Sequence, residues 1–261
     1  MLAVDKINPI RAEVADNKTN TDSERTRPEG PSKHQNWKMF DRIASRYDLL
    51  NHLLSANIDK RWRKQLAARL PLRGKLRILD LASGTGDQLI TLLRDPRVHS
   101  GVGIDLAEKM LEIGRAKLNR AGLNGTAELR TGDAMAIPFE DQSFDAVSIS
   151  FGIRNMTDVP KALSEMYRIL KPNGRALILE FSIPTSAAVR GPYLFYLRHI
   201  LPRLGTAISG DSGAYRYLNE TIESFPCGEA FLNLMSAAGF RHSEFTPLQF
   251  GIATLYQGDR L

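Results

Sequence analysis

"ILDLASGTGDQLI", Ile78 to Ile90, decides how this chain is read. Ile78–Leu81 is an apolar run of the kind found in buried strands. "ASGTG" then supplies small residues for a tight turn, and "DQLI" opens a helix. In open α/β sheets ligands bind beyond the carboxyl ends of the strands, and the first strand-to-helix turn commonly makes the main contact. Gly84 and Gly86 let a ligand approach the backbone closely, while the following helix presents unused N–H groups.

The turn also says which ligands to set aside. A dinucleotide site reads G-x-G-x-x-G, and Leu89 stands where the third glycine belongs. A P-loop needs Gly-Lys-Ser/Thr, which does not follow. Acids flank the turn instead, Asp80 before it and Asp87 after it. They would repel a pyrophosphate and attract a cation. S-adenosylmethionine carries a sulfonium and an ammonium group and no phosphate, so it suits this turn.

Two more acids sit where an adenosine would need them. Asp105 ends the next strand in "GVGIDLAEKM", at the position where a carboxylate accepts bonds from ribose hydroxyls. Asp133 ends the strand after that, in "ELRTGDAMAIPF", where its carboxylate and the Ala134 N–H can read the adenine edge. A lone strand-terminal Asp is often only a helix cap. Three at successive strand ends beside a glycine turn make the pattern of a class I S-adenosylmethionine-dependent methyltransferase.

The rest of the chain fits that frame. Strands are expected at Arg77–Leu81, Gly101–Asp105, Ala127–Thr131, Ala146–Ser150 and Ala176–Glu180, with helices such as Ala107–Ala121 and Val159–Leu170 between them. Such alternation argues for a doubly wound parallel sheet. A helix at Gly228–Ala238 and two terminal strands, about Arg241–Thr246 and Phe250–Tyr256, close the chain. The expected fold is α/β and Rossmann-like: a mostly parallel seven-stranded sheet with a terminal antiparallel hairpin and an N-terminal helical lid. Residues 1–35, polar and rich in mixed charge, read as a disordered tail. Residues 36–73 read as the lid, and 74–261 as the catalytic domain with a helical insertion at about 184–226. In the lid, apolar residues recur at helical spacing (Phe40, Ile43, Tyr47, Leu50, Leu54). A second helix from Asp59 puts Trp62, Leu66 and Leu70 on one face, with Lys60, Arg61, Arg63, Lys64 and Arg69 assigned to a solvated basic face.

Composition excludes several classes. The chain has 261 residues, 43% hydrophobic and 25% charged, which is ordinary for a globular protein. One cysteine, Cys227, rules out an intramolecular disulfide, and reads as an inert core residue. The five histidines form no cluster at metal-ligand spacing. No signal peptide or run of about 20 apolar residues appears, so a cytoplasmic protein, soluble or peripheral on a membrane, is expected. The net charge of +6 allows nucleic acid. However, "SISFGIRNMTD" lacks the Pro-Pro turn usual in nucleobase-amine methyltransferases, so nucleic acid is not the expected partner.

At this point the residues become recognisable. "YDLLNHLLSANIDKRW" (Tyr47–Trp62) and "RILKPNGRALILEFS" (Arg168–Ser182) resemble the two signatures of the ubiquinone/menaquinone biosynthesis C-methyltransferases. "SFGIRN" (Ser150–Asn155) and "AYRYLNETIESFP" (Ala214–Pro226) are also similar to family segments. Asn173 stands for a turn glycine and Asp59 for a usual histidine. The resemblance implies cofactor contacts at Thr85, Asp105, Asp133 with Ala134, and Ser150. It also implies an acceptor that is a polyprenylated quinol methylated on a ring carbon: demethylmenaquinol first, the benzoquinol of ubiquinone synthesis second. A homo-oligomer is compatible with it, and so is a non-catalytic scaffold that binds the same cofactor.

A quinol ring carbon becomes nucleophilic when a hydroxyl proton, of pKa about 10, is removed. The site must therefore align the reactants and stabilise a phenolate. Arg154 is the expected partner of that anion, with Asn155 orienting the ring, since "FGIRN" follows the fourth strand. An arginine is too basic to accept the proton itself. Tyr47 and Asp48, on the lid, are the second candidates. "YLFYLRHILPRL" mixes aromatic and aliphatic residues with Arg198, His199 and Arg203, an interfacial composition that suits a gate for the isoprenoid tail.

Overall fold

The computed structural model describes residues 36–44, 55, 57–209 and 212–261. The segment 1–35 and the lid candidates Tyr47 and Asp48 lie outside the described residues. The elements, in order, are α1 (36–44), α2 (Asp59–Ala68), β1 (Leu76–Leu81), α3 (Asp87–Leu93), β2 (Val98–Asp105), α4 (Glu108–Arg120), β3 (Ala127–Thr131) and β4 (Phe144–Ser150). There follow α5 (Val159–Ile169), β5 (Leu170–Phe181), α6 (Ala187–Phe195), α7 (Leu201–Ser209), α8 (Ser212–Ser224), α9 (Glu229–Ala237), β6 (Arg241–Leu248) and β7 (Ala253–Arg260).

One seven-stranded sheet runs in the order β3-β2-β1-β4-β5-β7-β6. The first five strands are parallel, and β7 is antiparallel to both β5 and β6. Strands β1 to β3 grow in one direction and β4 starts on the other side of β1. The crevice where strand order reverses is the ligand position of such sheets. Both faces are covered, so the central strands are apolar on both. Leu79, Leu81, Val147, Ile149 and Ile178 pack on one side. Their neighbours Ile78, Ala146, Leu177 and Leu179 pack on the other. Truncating one of these, for example Leu81→Ala, costs about 2–5 kcal/mol.

The expected strands are all present, β3 with the expected ends and the others with one or both ends shifted. β5 begins at Leu170, ahead of the turn where Asn173 takes φ +60°, so the asparagine does the work of a turn glycine. β7 begins at Ala253 and runs to Arg260. Phe250, expected as its first residue, sits in a 3₁₀ turn with φ +61° and is exposed. Asp158 caps α5 by accepting the Lys161 N–H at 2.9 Å, and Pro160 fits the first turn.

Helix α2 buries Trp62, Leu66 and, just beyond its end, Leu70 against the sheet. Arg63 is not on a solvated face: it is buried, with a side-chain exposure of 10%. Residues 62 and 66 face the sheet and 63 lies beside 66 and 59 on the helix surface, so the aliphatic stem and guanidinium are covered together. Cys227 is exposed, because it follows Pro226 in the connection from α8 to α9 rather than entering a packed element. Helices α6 to α8 form a separate apolar group with α1, built on Met39, Leu197, Leu201, Tyr217 and Ile222.

Candidate active site

Four successive strand ends build the cofactor crevice. At the end of β1, Asp80 is fully buried and accepts from Ser83 Oγ at 2.5 Å and Ser148 Oγ at 2.6 Å. Burial pushes its pKa up to about 6, against the pull of those two hydroxyls. The turn after it takes positive φ at Gly84 (+54°) and Gly86 (+80°), which carries the chain tightly into α3. At the end of β2, the Asp105 carboxylate accepts the Gly84 N–H and the Ala107 N–H, each at 2.8 Å. It thereby ties the glycine turn to its neighbour, and burial raises its pKa despite these donors. At the end of β3, Asp133 accepts the Met135 N–H at 2.8 Å, with Ala134 buried beside it. At the end of β4, Ser150 donates to Gln88 Oε1 at 3.2 Å.

Between these residues lies a crevice of about 250 Å³, lined by Gly84, Asp105, Asp133, Ala134 and Ser150 and closed by Trp37 and Phe40 of α1. Among the described residues no Lys or Arg lines it. A phosphate-bearing cofactor would meet carboxylates there without a counterion, whereas S-adenosylmethionine meets acids with its cationic groups. The residues present fit that group.

A second cavity, of about 580 Å³, lies across Phe40 and Phe151 from the first. Its walls are mostly apolar and come from α1, α2, α6, α7 and α8. Phe151 and Phe181 stack at 4.4 Å between centroids, and Trp62 meets Phe181 edge-on at 6.4 Å. Set into this apolar wall is Arg154, whose Nη1 donates to Glu180 Oε1 at 2.7 Å and to the Phe151 carbonyl. Glu180, at the end of β5, also accepts the Phe181 N–H at 2.8 Å. Burial pushes the Glu180 pKa up, opposed by the charge of Arg154 and the backbone donors. Tyr193 lines the same chamber within electrostatic reach of Arg154 and Glu180, and burial holds its phenol protonated.

The structure separates residues that the sequence puts side by side. Arg154 faces the chamber, whereas Asn155 faces the crevice, and its carbonyl accepts Asn36 Nδ2 at 2.8 Å. Asn155 Oδ1 is buried without a hydrogen-bond partner. Thr85 accepts from Lys117 Nζ at 3.0 Å, and that lysine also pairs with Asp87 at 2.6 Å, so the Thr85 hydroxyl is held on the α4 side of the turn. Asp59 lines the chamber, buried, with Ser55 Oγ donating to it at 2.7 Å. Sequence reasoning missed Glu180, although the argument used for Asp80, Asp105 and Asp133 applied to it: "ILEF" ends a strand on an acid. It also missed the aromatic wall and Trp37, for which the local sequence carries no signal.

A Rossmann-like sheet with a glycine turn and acids at the first three strand ends, opening on an apolar chamber, defines a class I S-adenosylmethionine-dependent methyltransferase. Within that class, the sequence profile of the ubiE/COQ5 methyltransferase family matches residues 30–260, and the chain belongs to that family. It is 46% identical over 222 residues to the demethylmenaquinone methyltransferase of Thermus thermophilus, covering 85% of this chain and 100% of the relative. It is 44% identical over 223 residues to the ubiquinone/menaquinone biosynthesis C-methyltransferase UbiE of Citrifermentans bemidjiense, covering 85% and 94%. Among solved structures, the phosphoethanolamine N-methyltransferase 2 of Haemonchus contortus in complex with S-adenosyl-L-methionine superposes with a TM-score of 0.56 at 16% identity. The match covers 77% of this chain and 52% of that one, a likeness of fold alone.

Proposed function

We propose that this methyltransferase moves a methyl group from S-adenosylmethionine to a ring carbon of a polyprenylated quinol, with demethylmenaquinol as the acceptor. The observation that carries the reading is the buried Arg154–Glu180 pair set in the wall of a large apolar chamber next to the cofactor crevice. An apolar chamber of about 580 Å³ takes a fused aromatic ring and the first isoprene units of its tail. A charged pair in such a wall is costly unless it has work to do. The names of the two relatives point to the same chemistry.

When bound, S-adenosylmethionine supplies an electrophilic methyl on a sulfonium. Asp105, Asp133, the Ala134 N–H and the glycine turn would hold its adenosine, and the crevice adjoins the chamber at Phe40 and Phe151, which line both, so the methyl can meet the acceptor there. On the acceptor side, the quinol O–H bond breaks and the proton passes to Glu180, directly or through a water, with Tyr193 beside it. Glu180 has a raised proton affinity, which favours the transfer. Arg154 keeps its charge and moves its attraction from the carboxylate to the new phenolate, so the net charge of the buried group is unchanged. The ring carbon ortho to that oxygen would take the methyl as the sulfur keeps the electron pair of the broken S–C bond; the carbon then gives its own proton to solvent and Glu180 returns its proton to the oxygen, which restores the aromatic quinol and the Arg154–Glu180 pair.

No helix of the described residues is long and apolar enough to cross a membrane. Phe195 on α6, Ile200 in the π-helical turn Tyr196–Ile200 and Leu204 on α7 are exposed, near Arg198 and Arg203 in sequence. This face supports a peripheral contact through which the tail of the acceptor enters from the cytoplasmic side.

The reading is tested with isotope-labelled S-adenosylmethionine and short-chain demethylmenaquinol, reduced and oxidised, beside the corresponding benzoquinol. Mass spectrometry is expected to find the label on a ring carbon only with the reduced acceptor, and faster with the naphthoquinol. Preference for the benzoquinol moves the assignment to the ubiquinone step. Label in neither removes it.

A further inference from the structure

Two acids serve the acceptor chamber. Glu180 stands behind Arg154, while Asp59 is the one carboxylate among the described residues of the chamber wall. Asp59 opens α2 with 2% of its surface exposed, and Ser55 Oγ donates to it at 2.7 Å from the preceding turn. One helical turn on, Arg63 Nε faces its second oxygen at 3.5 Å and balances its charge.

Methyl transfer engages one hydroxyl of the quinol, at Arg154, and leaves the other for recognition. Both charged pairs meet the same aromatic platform. Phe151 and Phe181 stack at 4.4 Å between centroids. The Arg154 guanidinium sits over the Phe181 ring and the Arg63 guanidinium over the Phe151 ring, each at 5.4 Å. A ring lying along that stack has a charged pair at each of two places, and a quinol is a ring with hydroxyls at two opposite positions. A carboxylate sunk in an apolar wall is costly unless neighbours or a ligand complete its hydrogen bonding. An ionised carboxylate has about four acceptor sites, so the Ser55 contact leaves Asp59 able to accept from a bound molecule as well.

We propose that Asp59 accepts a hydrogen bond from the second hydroxyl of the quinol, the one beside the isoprenoid tail, and so selects the reduced acceptor. The methyl enters between the tail and the hydroxyl at Arg154, which leaves the tail-side hydroxyl at the far end of the ring. An ionised carboxylate only accepts; a quinol hydroxyl donates, whereas a quinone oxygen offers lone pairs alone. Asp59 therefore attracts the quinol and repels the quinone, a discrimination that uses an unfavourable contact as well as a favourable one. The hydroxyl it holds does not react, so its contribution is to binding and to the orientation of the ring. The proposal rests on the quinol reading above and holds for naphthoquinol and benzoquinol alike.

Methyl transfer by the purified full chain tests it with two short-chain acceptors: demethylmenaquinol kept reduced, and the same ring with its tail-side hydroxyl capped as a methyl ether. Both keep the hydroxyl that faces Arg154, so both can take label from S-adenosylmethionine. With the unmodified protein the ether is expected to show a KM about 10–100-fold higher, the range of a hydrogen bond to a charged group, with kcat within about threefold. Asp59→Asn, equal in size and able to donate to the ether oxygen, is expected to shrink that ratio to within about threefold, and Asp59→Ala likewise. The ratio is internal to each variant, so a general loss of stability does not imitate the effect. A full ratio kept in both variants overturns the assignment and leaves Asp59 a structural partner of Arg63. A fall in kcat of about 100-fold or more in Asp59→Asn also overturns it, since Asp59 would then be the proton acceptor. No transfer to the uncapped quinol by the unmodified protein removes the quinol reading, and this proposal with it.

Discussion

On one side of Phe40 and Phe151 is a crevice of about 250 Å³ whose polar groups sit at strand ends and are fixed by backbone hydrogen bonds. On the other is a chamber of about 580 Å³ whose walls are mostly side chains from five helices, closed by Phe151, Arg154 and Phe181 at strand ends, with its charge confined to a few buried groups. The crevice is built by the sheet. Its geometry follows from the register of β1, β2, β3 and β4, and any chain with that topology presents a similar set of strand ends. The chamber is built largely by additions to the sheet, α1, α2 and the α6–α8 group, together with Phe151, Arg154 and Phe181 from the ends of β4 and β5. Affinity for a common cofactor can rest on the first. Choice of acceptor has to rest on the second.

This contrast can be broken at the chamber first, where the largest effect is expected. Arg154→Met should lower the methyl-transfer rate about 10²–10³-fold, as loss of a donor to a developing oxyanion does. It should also cost about 3–5 kcal/mol of stability in urea unfolding, because Glu180 is left charged and buried. Affinity for S-adenosylhomocysteine should stay within about threefold. Adding Glu180→Gln should return most of the stability and none of the rate. If the rate returned as well, Arg154 would be a structural partner of Glu180 and no more.

The next effect belongs to the crevice and depends on pH. Asp80 has a pKa of about 6 in the folded chain against 3.8 for the free side chain. As pH rises, the unfolded chain ionises first, so the fold loses stability from about pH 4 and the loss is complete above about pH 6. Two units correspond to roughly 3 kcal/mol. Asp80→Asn should therefore be more stable than the unmodified chain at pH 7.5, by up to about that amount, with the gain vanishing near pH 4. It should bind S-adenosylhomocysteine more weakly at the same time. Thermal unfolding at the two pH values checks the sign, and equal destabilisation at both would contradict it.

A smaller effect is expected at Asp105. Asp105→Ala removes the acceptor of two backbone N–H groups and the proposed acceptor of the ribose, and should weaken S-adenosylhomocysteine binding about 10–100-fold in calorimetry. Binding of a quinone in the chamber should be unaffected. The smallest effect is at Thr85, whose hydroxyl faces Lys117. Thr85→Val should change cofactor affinity by less than about threefold, and a larger loss would mean that the hydroxyl turns into the crevice on binding.

The same contrast separates what is legible in the amino-acid sequence from what is not. The crevice residues were legible because each is fixed by a local rule: an apolar strand, then a small or acidic residue at its carboxyl end, then a helix. Asp80, Asp105 and Asp133 follow that rule, and so does Glu180, which the rule would have found had it been carried to β5. The strands were legible for the same reason, and their ends were misjudged where a turn residue decided them, as at Asn173 and Phe250. The chamber obeys no such rule. Phe151 and Phe181 are 30 residues apart in sequence and stack only because β4 and β5 lie side by side. Arg63 read as one charge among several on a basic helix, since its burial depends on packing that the periodicity of α2 does not encode. Arg154 was expected beside the acceptor from its place after the fourth strand, but its partner Glu180 and the parting of Arg154 from Asn155 needed the fold.

The chain has two tryptophans, and each lines one cavity: Trp37 the crevice, Trp62 the chamber. Fluorescence of Trp37→Phe and Trp62→Phe, titrated separately with S-adenosylhomocysteine and with a short-chain menaquinone, reports the two sites independently. Menaquinone should quench Trp62 strongly in Trp37→Phe, while S-adenosylhomocysteine should perturb mainly Trp37 in Trp62→Phe. If both ligands acted on the same tryptophan, cofactor and acceptor would not occupy the two separate cavities, and the division of labour across Phe151 would be wrong.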